Sequence, residues 1–316
     1  MHPAKSVIFF TTASGAGYGL LFLLLAGTML NILALAFWPL FIGFGIAFLL
    51  ITAGLLSSTL HLGHPERAWR AISQWRSSWL SREGVMALFT FAPTGLYALH
   101  RLFFSDLYGG LMLLIGVLGL VSIAVTVYCT AMIYASLRPI HAWFNRYVPA
   151  GYLLLSLTTG VILLNGLLAL FGYAISSVVW LAIILLVIAA LWKRAYWRFL
   201  DSTKSISTPE SATGLGEFGT VNLLESPHSE ANYLMKEMGF RIARKHSAKL
   251  RRIVIGAGFL LPAVLMVLMF SFAGPAAAAI SVVAVISAGI GVVVERWLFF
   301  AEARHAVGLY YGASRA

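Results

Sequence analysis

His61, His64, Arg67 and Glu83 fall in one stretch, LHLGHPERAWRAISQWRSSWLSRE, which holds two histidines, four arginines and two glutamates between two long apolar runs. Pro65 stops a helix arriving from the N-terminal side, and Arg67, Trp69, Arg70 and Trp75 fit a short interfacial helix. His61 would close one apolar run and Glu83 open the next, which sets an imidazole and a carboxyl at one edge of a low-dielectric region. Such a pair suits a quinone, whose two carbonyl oxygens gain or lose protons together with electrons. Histidine can donate a hydrogen bond to a carbonyl and titrates near neutrality. A glutamate beside low dielectric takes up a proton more readily than in water and can relay it. The apolar bundle behind them would hold the isoprenoid tail. Two structural roles compete at this point. Glu83 also suits the positive N-terminal end of a helix capped by Ser81, and His61 also suits the open carbonyls of a helix end.

Other chemistries are disfavoured. The histidines are His2, His61, His64, His100, His141, His228, His246 and His305, and none lies in the middle of an apolar run. Membrane haem held by two axial histidines is therefore not expected. No carboxylate lies deep in a run, so an eight-span transporter, the competing class, lacks the buried charge that ion coupling uses. Cys129 is the single cysteine, which excludes an internal disulfide and any Cys-x-x-Cys metal or cluster site. Glu295 and Arg296, near the end of the last run, read as a structural ion pair, with a role at the quinone site as a weaker option.

The elements that must carry these residues are transmembrane helices. Of 316 residues, 60% are hydrophobic and only 10% charged, far below the roughly 25% charge of soluble domains. Lipid is the solvent that suits such a chain. A span takes about 20 apolar residues, and eight stretches qualify: 7–36, 39–60, 84–103, 109–135, 149–171, 176–192, 253–272 and 276–300. The first is read as a retained span, because its apolar run is too long for a signal peptide. The fold expected is an all-α integral membrane protein, one domain over 1–316, with eight helices in four hairpins. Links within hairpins are short and nearly neutral, and links between them, 61–83, 136–148 and 193–252, are basic. Of 22 Lys and Arg residues only Arg101 sits on the neutral side, so the basic side and both termini are expected in the cytoplasm of a bacterial inner membrane. The net charge of +11 follows from this asymmetry and needs no nucleic acid. Gly15, Gly17 and Gly19 lack the preceding strand of a dinucleotide loop and read as a helix-packing face.

The loop 193–252 divides in two. Its first part is polar. From about 227 to 250 an amphipathic helix is expected, with Leu234, Met238 and Ile242 on one face and Arg241, Arg244, Lys245 and His246 toward its end. It reads either as a helix lying on anionic lipid or as a docking surface for a soluble partner.

Segments 1–19, 61–71, 78–84, 132–143 and 232–246, which include HLGHPERAWRA, SWLSREG and NYLMKEMGFRIARKH, resemble the anchor subunits of the dimethyl sulfoxide reductase family, the DmsC type, and within it the membrane subunit of cytoplasmic sulfite-oxidising molybdoenzymes. The resemblance implies a non-catalytic anchor without haem or metal ligands of its own. Its partners would be an iron–sulfur subunit with four clusters and a molybdopterin catalytic subunit, and it would exchange electrons with menaquinone or ubiquinone. It implies quinone-site roles for His61 and Glu83; Arg67 belongs to the motif and would orient the glutamate or meet the partner, and His64 is grouped with them. Basic loops, site and docking helix share the expected cytoplasmic face, which favours sulfite oxidation. A terminal reductase that oxidises menaquinol in anaerobic electron transport is the alternative.

Overall fold

A computed structural model describes residues 5–60, 64–104, 109–203, 207–225, 245–311 and 313–314. Among these residues every regular element is helical. The long helices are α1 (Lys5–Met29), α2 (Phe37–Thr59), α3 (Trp79–Phe103), α4 (Gly109–Ala135), α5 (Tyr147–Leu170), α6 (Ser176–Ser202), α7 (Ser247–Leu268) and α8 (Gly274–Ala301). All but α3 are long and apolar enough to cross a membrane, which makes seven such helices among the described residues. α3 has the length, at 25 residues, but carries Arg82, Glu83, His100 and Arg101 near its ends and Thr90 and Thr94 within. Large apolar side chains such as Leu49, Leu88, Leu114 and Leu191 stand exposed on the outside of the bundle, as a lipid-facing surface requires.

α1 and α5 form the centre. α1 packs on α2 and α5 and also touches α4 and α8, while α3 packs mainly on α4 and α7 on α8. The α1–α5 crossing depends on Gly19 and Gly160: a Cβ on Gly19 would lie 1.8 Å from the Ser156 carbonyl oxygen, and one on Gly160 would lie 2.2 Å from the Gly19 backbone. Ser156 Oγ also donates to the Gly15 carbonyl at 2.6 Å. Gly17 and Gly19 are thus packing positions, as the sequence predicts, while a Cβ on Gly15 would meet open space. α7 widens into a π-helical stretch over Val254–Leu260, just before Pro262. The proline has no N–H and its ring crowds the carbonyl four residues back, so the backbone there opens by one residue.

Two helices extend past the apolar runs. α6 continues beyond residue 192 to Ser202, and α7 begins at Ser247 rather than 253. Arg251 of α7 donates to Asp201 at 2.7 Å and to Glu302 at 2.8 Å, which ties the ends of α6 and α8 together. Trp143 Nε1 donates to the Phe299 carbonyl at 3.0 Å, and Tyr196 Oη to the Ala142 carbonyl at 2.9 Å. The α4–α5 link and the ends of α6 and α8 therefore meet at one end of the bundle.

Candidate functional site

The start of α3 is built from the loop that precedes it. Ser78 caps the helix by accepting from the Ser81 N–H at 3.4 Å, so the cap is Ser78 and not Ser81. The Ser81 hydroxyl donates instead to the Ala71 carbonyl. Ala71 lies in the 3-10 helix Pro65–Gln74, which leaves Trp69 and Ile72 exposed. Arg82 donates to the carbonyls of Trp75, at 3.0 Å, and Arg76, at 2.7 Å, and its guanidinium carbon lies 4.3 Å from the centre of the Trp79 ring. Four hydrogen bonds thus hold the polar stretch against the first turn of α3.

That anchoring fixes Glu83. Its side chain is buried, at 5% exposure, and one carboxylate oxygen accepts from Thr130 Oγ1 of α4 at 2.9 Å. Thr90 and Thr126 continue the α3–α4 polar seam with a hydroxyl–hydroxyl bond of 3.0 Å. Among the described residues no cation pairs with Glu83. A carboxyl inside the bundle that is balanced by one hydroxyl can take up and release a proton, which a carboxylate clamped by cations cannot do.

The other expected site residues are placed as follows. His61 lies outside the described residues. His64 and Arg67 are exposed and gather on Glu66, with His64 Nδ1 at 3.0 Å and Arg67 Nε at 3.7 Å from Glu66 Oε1. The structure therefore joins His64, Glu66 and Arg67 at the bundle's surface, and gives neither His64 nor Arg67 a bond to Glu83. Arg241 and Arg244, with most of the expected docking helix, lie outside the described residues. Lys245 and His246 are exposed, and His246 is the residue just before the Ser247–Ile253 helical segment that opens α7.

A second buried polar cluster contains the expected ion pair and one residue more. Glu295 is fully buried between Arg296, whose Nε lies 2.5 Å from Oε2, and Lys193 of α6, which bonds Oε1. The Arg296 guanidinium carbon sits 4.2 Å from the centre of the Tyr152 ring, and Lys193 Nζ 4.3 Å from that of Tyr196. Sequence reasoning placed Lys193 in a loop. The signal that finds it is helical spacing: Ala182, Leu186, Ala189 and Lys193 form one buried stripe of α6. Thr130 was also missed, although Ser122, Thr126 and Thr130 recur every fourth residue in an otherwise apolar helix.

Residues 1–312 match the family described as DMSO reductase anchor subunit (DmsC). The chain belongs to that family. It is also similar to a subunit of sulfite dehydrogenase from Allochromatium vinosum, 32% identical over 328 residues that cover 98% of this chain and 99% of the relative. No solved structure matches. For a DmsC-family anchor, the apolar helices are what membrane attachment requires, and Glu83 is a buried carboxyl bonded to Thr130 on the α3–α4 seam.

Proposed function

We propose that this chain is the membrane anchor and quinone-reactive subunit of a molybdopterin and iron–sulfur oxidoreductase complex, with sulfite as the electron source. Two electrons arrive from an iron–sulfur cluster of a docked partner, two protons follow, and quinone leaves as quinol. Glu83 carries protons to the head group and His61 donates a hydrogen bond to one carbonyl. α3 counts as the eighth span, and both termini face the cytoplasm. The observation that carries the reading is a buried carboxyl with no cation partner among the described residues, bonded to Thr130 at 2.9 Å, beside the polar loop of a DmsC-family chain. The similarity to a sulfite dehydrogenase subunit supports the choice of electron source. The Pro65–Gln74 helix, with exposed Arg67, Arg70 and Trp69, together with Lys245 and His246, forms the docking face for the iron–sulfur partner.

The test uses the whole complex in membranes. Glu83→Gln and His61→Leu should each lower sulfite-dependent quinone reduction by at least about tenfold, the scale of losing one positioned proton carrier or donor. Sulfite oxidation with a soluble dye acceptor should stay within about twofold, and the partner subunits should remain membrane-bound. Unchanged quinone reduction in both variants would reduce the chain to a tether. The family description favours a second reading, a reductase that draws electrons from menaquinol. Reporter fusions that put the 207–225 segment outside the cytoplasm would select it.

A further inference from the structure

An apolar groove of about 440 Å³ runs between α1, α5 and α8, with Leu50 of α2 at one wall. Phe9 and Val293, each about half exposed, stand on the lipid-facing side of its lining. Against it lies a smaller polar cavity of about 20 Å³, room for about one water. The two spaces share Thr12, Ala16, Thr159 and Val292 in their linings, so they adjoin. Three facts about the polar cavity call for a ligand. The Tyr18 hydroxyl, on a side chain 2% exposed, has no hydrogen-bond partner among the described residues, and neither has Arg296 Nη1. Both residues line the cavity. Thr130, the residue that donates to Glu83, lines it as well. Donors buried without acceptors are costly and are retained where something accepts from them.

We propose that this groove is the entry and tail site of the quinone. The prenyl tail lies along α1, α5 and α8. One head-group carbonyl faces the cavity, where Tyr18 and Arg296 donate to it directly or through the one water the cavity holds. When Glu83 is protonated, its hydroxyl donates to Thr130 Oγ1 and the single Thr130 proton turns to that carbonyl, which links the two groups by one chain of hydrogen bonds. The inference rests on the quinone reading above and names the residues that recognise the ligand. A single molecule with an apolar chain and an accepting head meets both spaces, whereas water alone leaves the groove unexplained and a hydrocarbon leaves the buried donors unmet.

Two substitutions test it with little risk to folding. A Cβ on Gly289, which lines the groove, meets nothing within 4 Å, so a side chain can start there, and Gly289→Phe adds a ring at the groove. Tyr18→Phe removes an oxygen that has no partner among the described residues. The complex is placed in lipid nanodiscs, and equilibrium binding is measured for a decyl-tailed quinone and its tail-less counterpart. Gly289→Phe should raise Kd for the tailed quinone by about tenfold, the scale of losing part of a buried alkyl chain, and leave the tail-less one within about twofold. Tyr18→Phe should raise Kd for both by about three- to tenfold, as loss of one buried hydrogen bond does. Wild-type affinity for both probes in both variants overturns the proposal. So does a drop in co-purified phospholipid without change in either Kd, which would make the groove a lipid site. Loss of electron transfer in Glu83→Gln alongside unchanged binding in Gly289→Phe and Tyr18→Phe refutes the groove and leaves the quinone reading standing; no effect in any variant refutes both.

Discussion

Glu83 and Glu295 are both buried carboxyls, and their surroundings differ. Glu295 touches two cations, so replacing it leaves two buried positive charges without a counterion. Glu295→Gln should therefore destabilise the chain by about 3–5 kcal/mol, read as a lower thermal midpoint in detergent. At Glu83 a glutamine oxygen can still accept from Thr130. Glu83→Gln should cost about 1 kcal/mol or less, so its effect on quinone turnover would not come from unfolding. Thr130→Val removes the donor but no charge. It should likewise change stability by about 1 kcal/mol and affect quinone turnover more than assembly.

At the level of the element, the α1–α5 crossing is the most demanding contact. Gly160→Ala puts a methyl 2.2 Å from the Gly19 backbone and forces the two central helices apart, which should cost about 1–3 kcal/mol. Gly15→Ala meets nothing within 4 Å and should be neutral or stabilising by up to about 1 kcal/mol. Thermal midpoints of the two variants check the contrast. The long helices themselves were legible in the sequence, and seven of those described have the length and hydropathy of a span, while α3 has the length alone. Their ends were less so. α6 and α7 run past the apolar stretch because Lys193 and Arg251 find carboxylate partners on α8 and at its end, and such pairing between distant segments leaves no local mark. The place of Glu83 in the first turns of α3 was legible from its position at the edge of an apolar run. Thr130, Tyr18 and the cavity between α1 and α8 were not, since three separate helices must meet before they become neighbours.

For the molecule as a whole, the proposed topology has a direct check. Reporter fusions at Gly172 and Ala273, in the short links, should score as outside the cytoplasm, and fusions at Gly214 and Ala313 as inside. An inside score at Gly172 would remove α3 from the count of spans. α3 is the least apolar of the long helices, and its polar groups are matched by α4: Glu83 by Thr130, Thr90 by Thr126. Entering hydrocarbon alone, α3 would leave the Glu83 carboxyl without its Thr130 bond, whereas Thr90 keeps its bond to the Met86 carbonyl within the helix. With α3 as a span, the expected order of insertion is paired: α3 is held at the translocon until α4 emerges, and the two enter the bilayer together. Nascent chains cut short before residue 109 would then leave α3 accessible to protease, and chains that extend through residue 135 would shelter it.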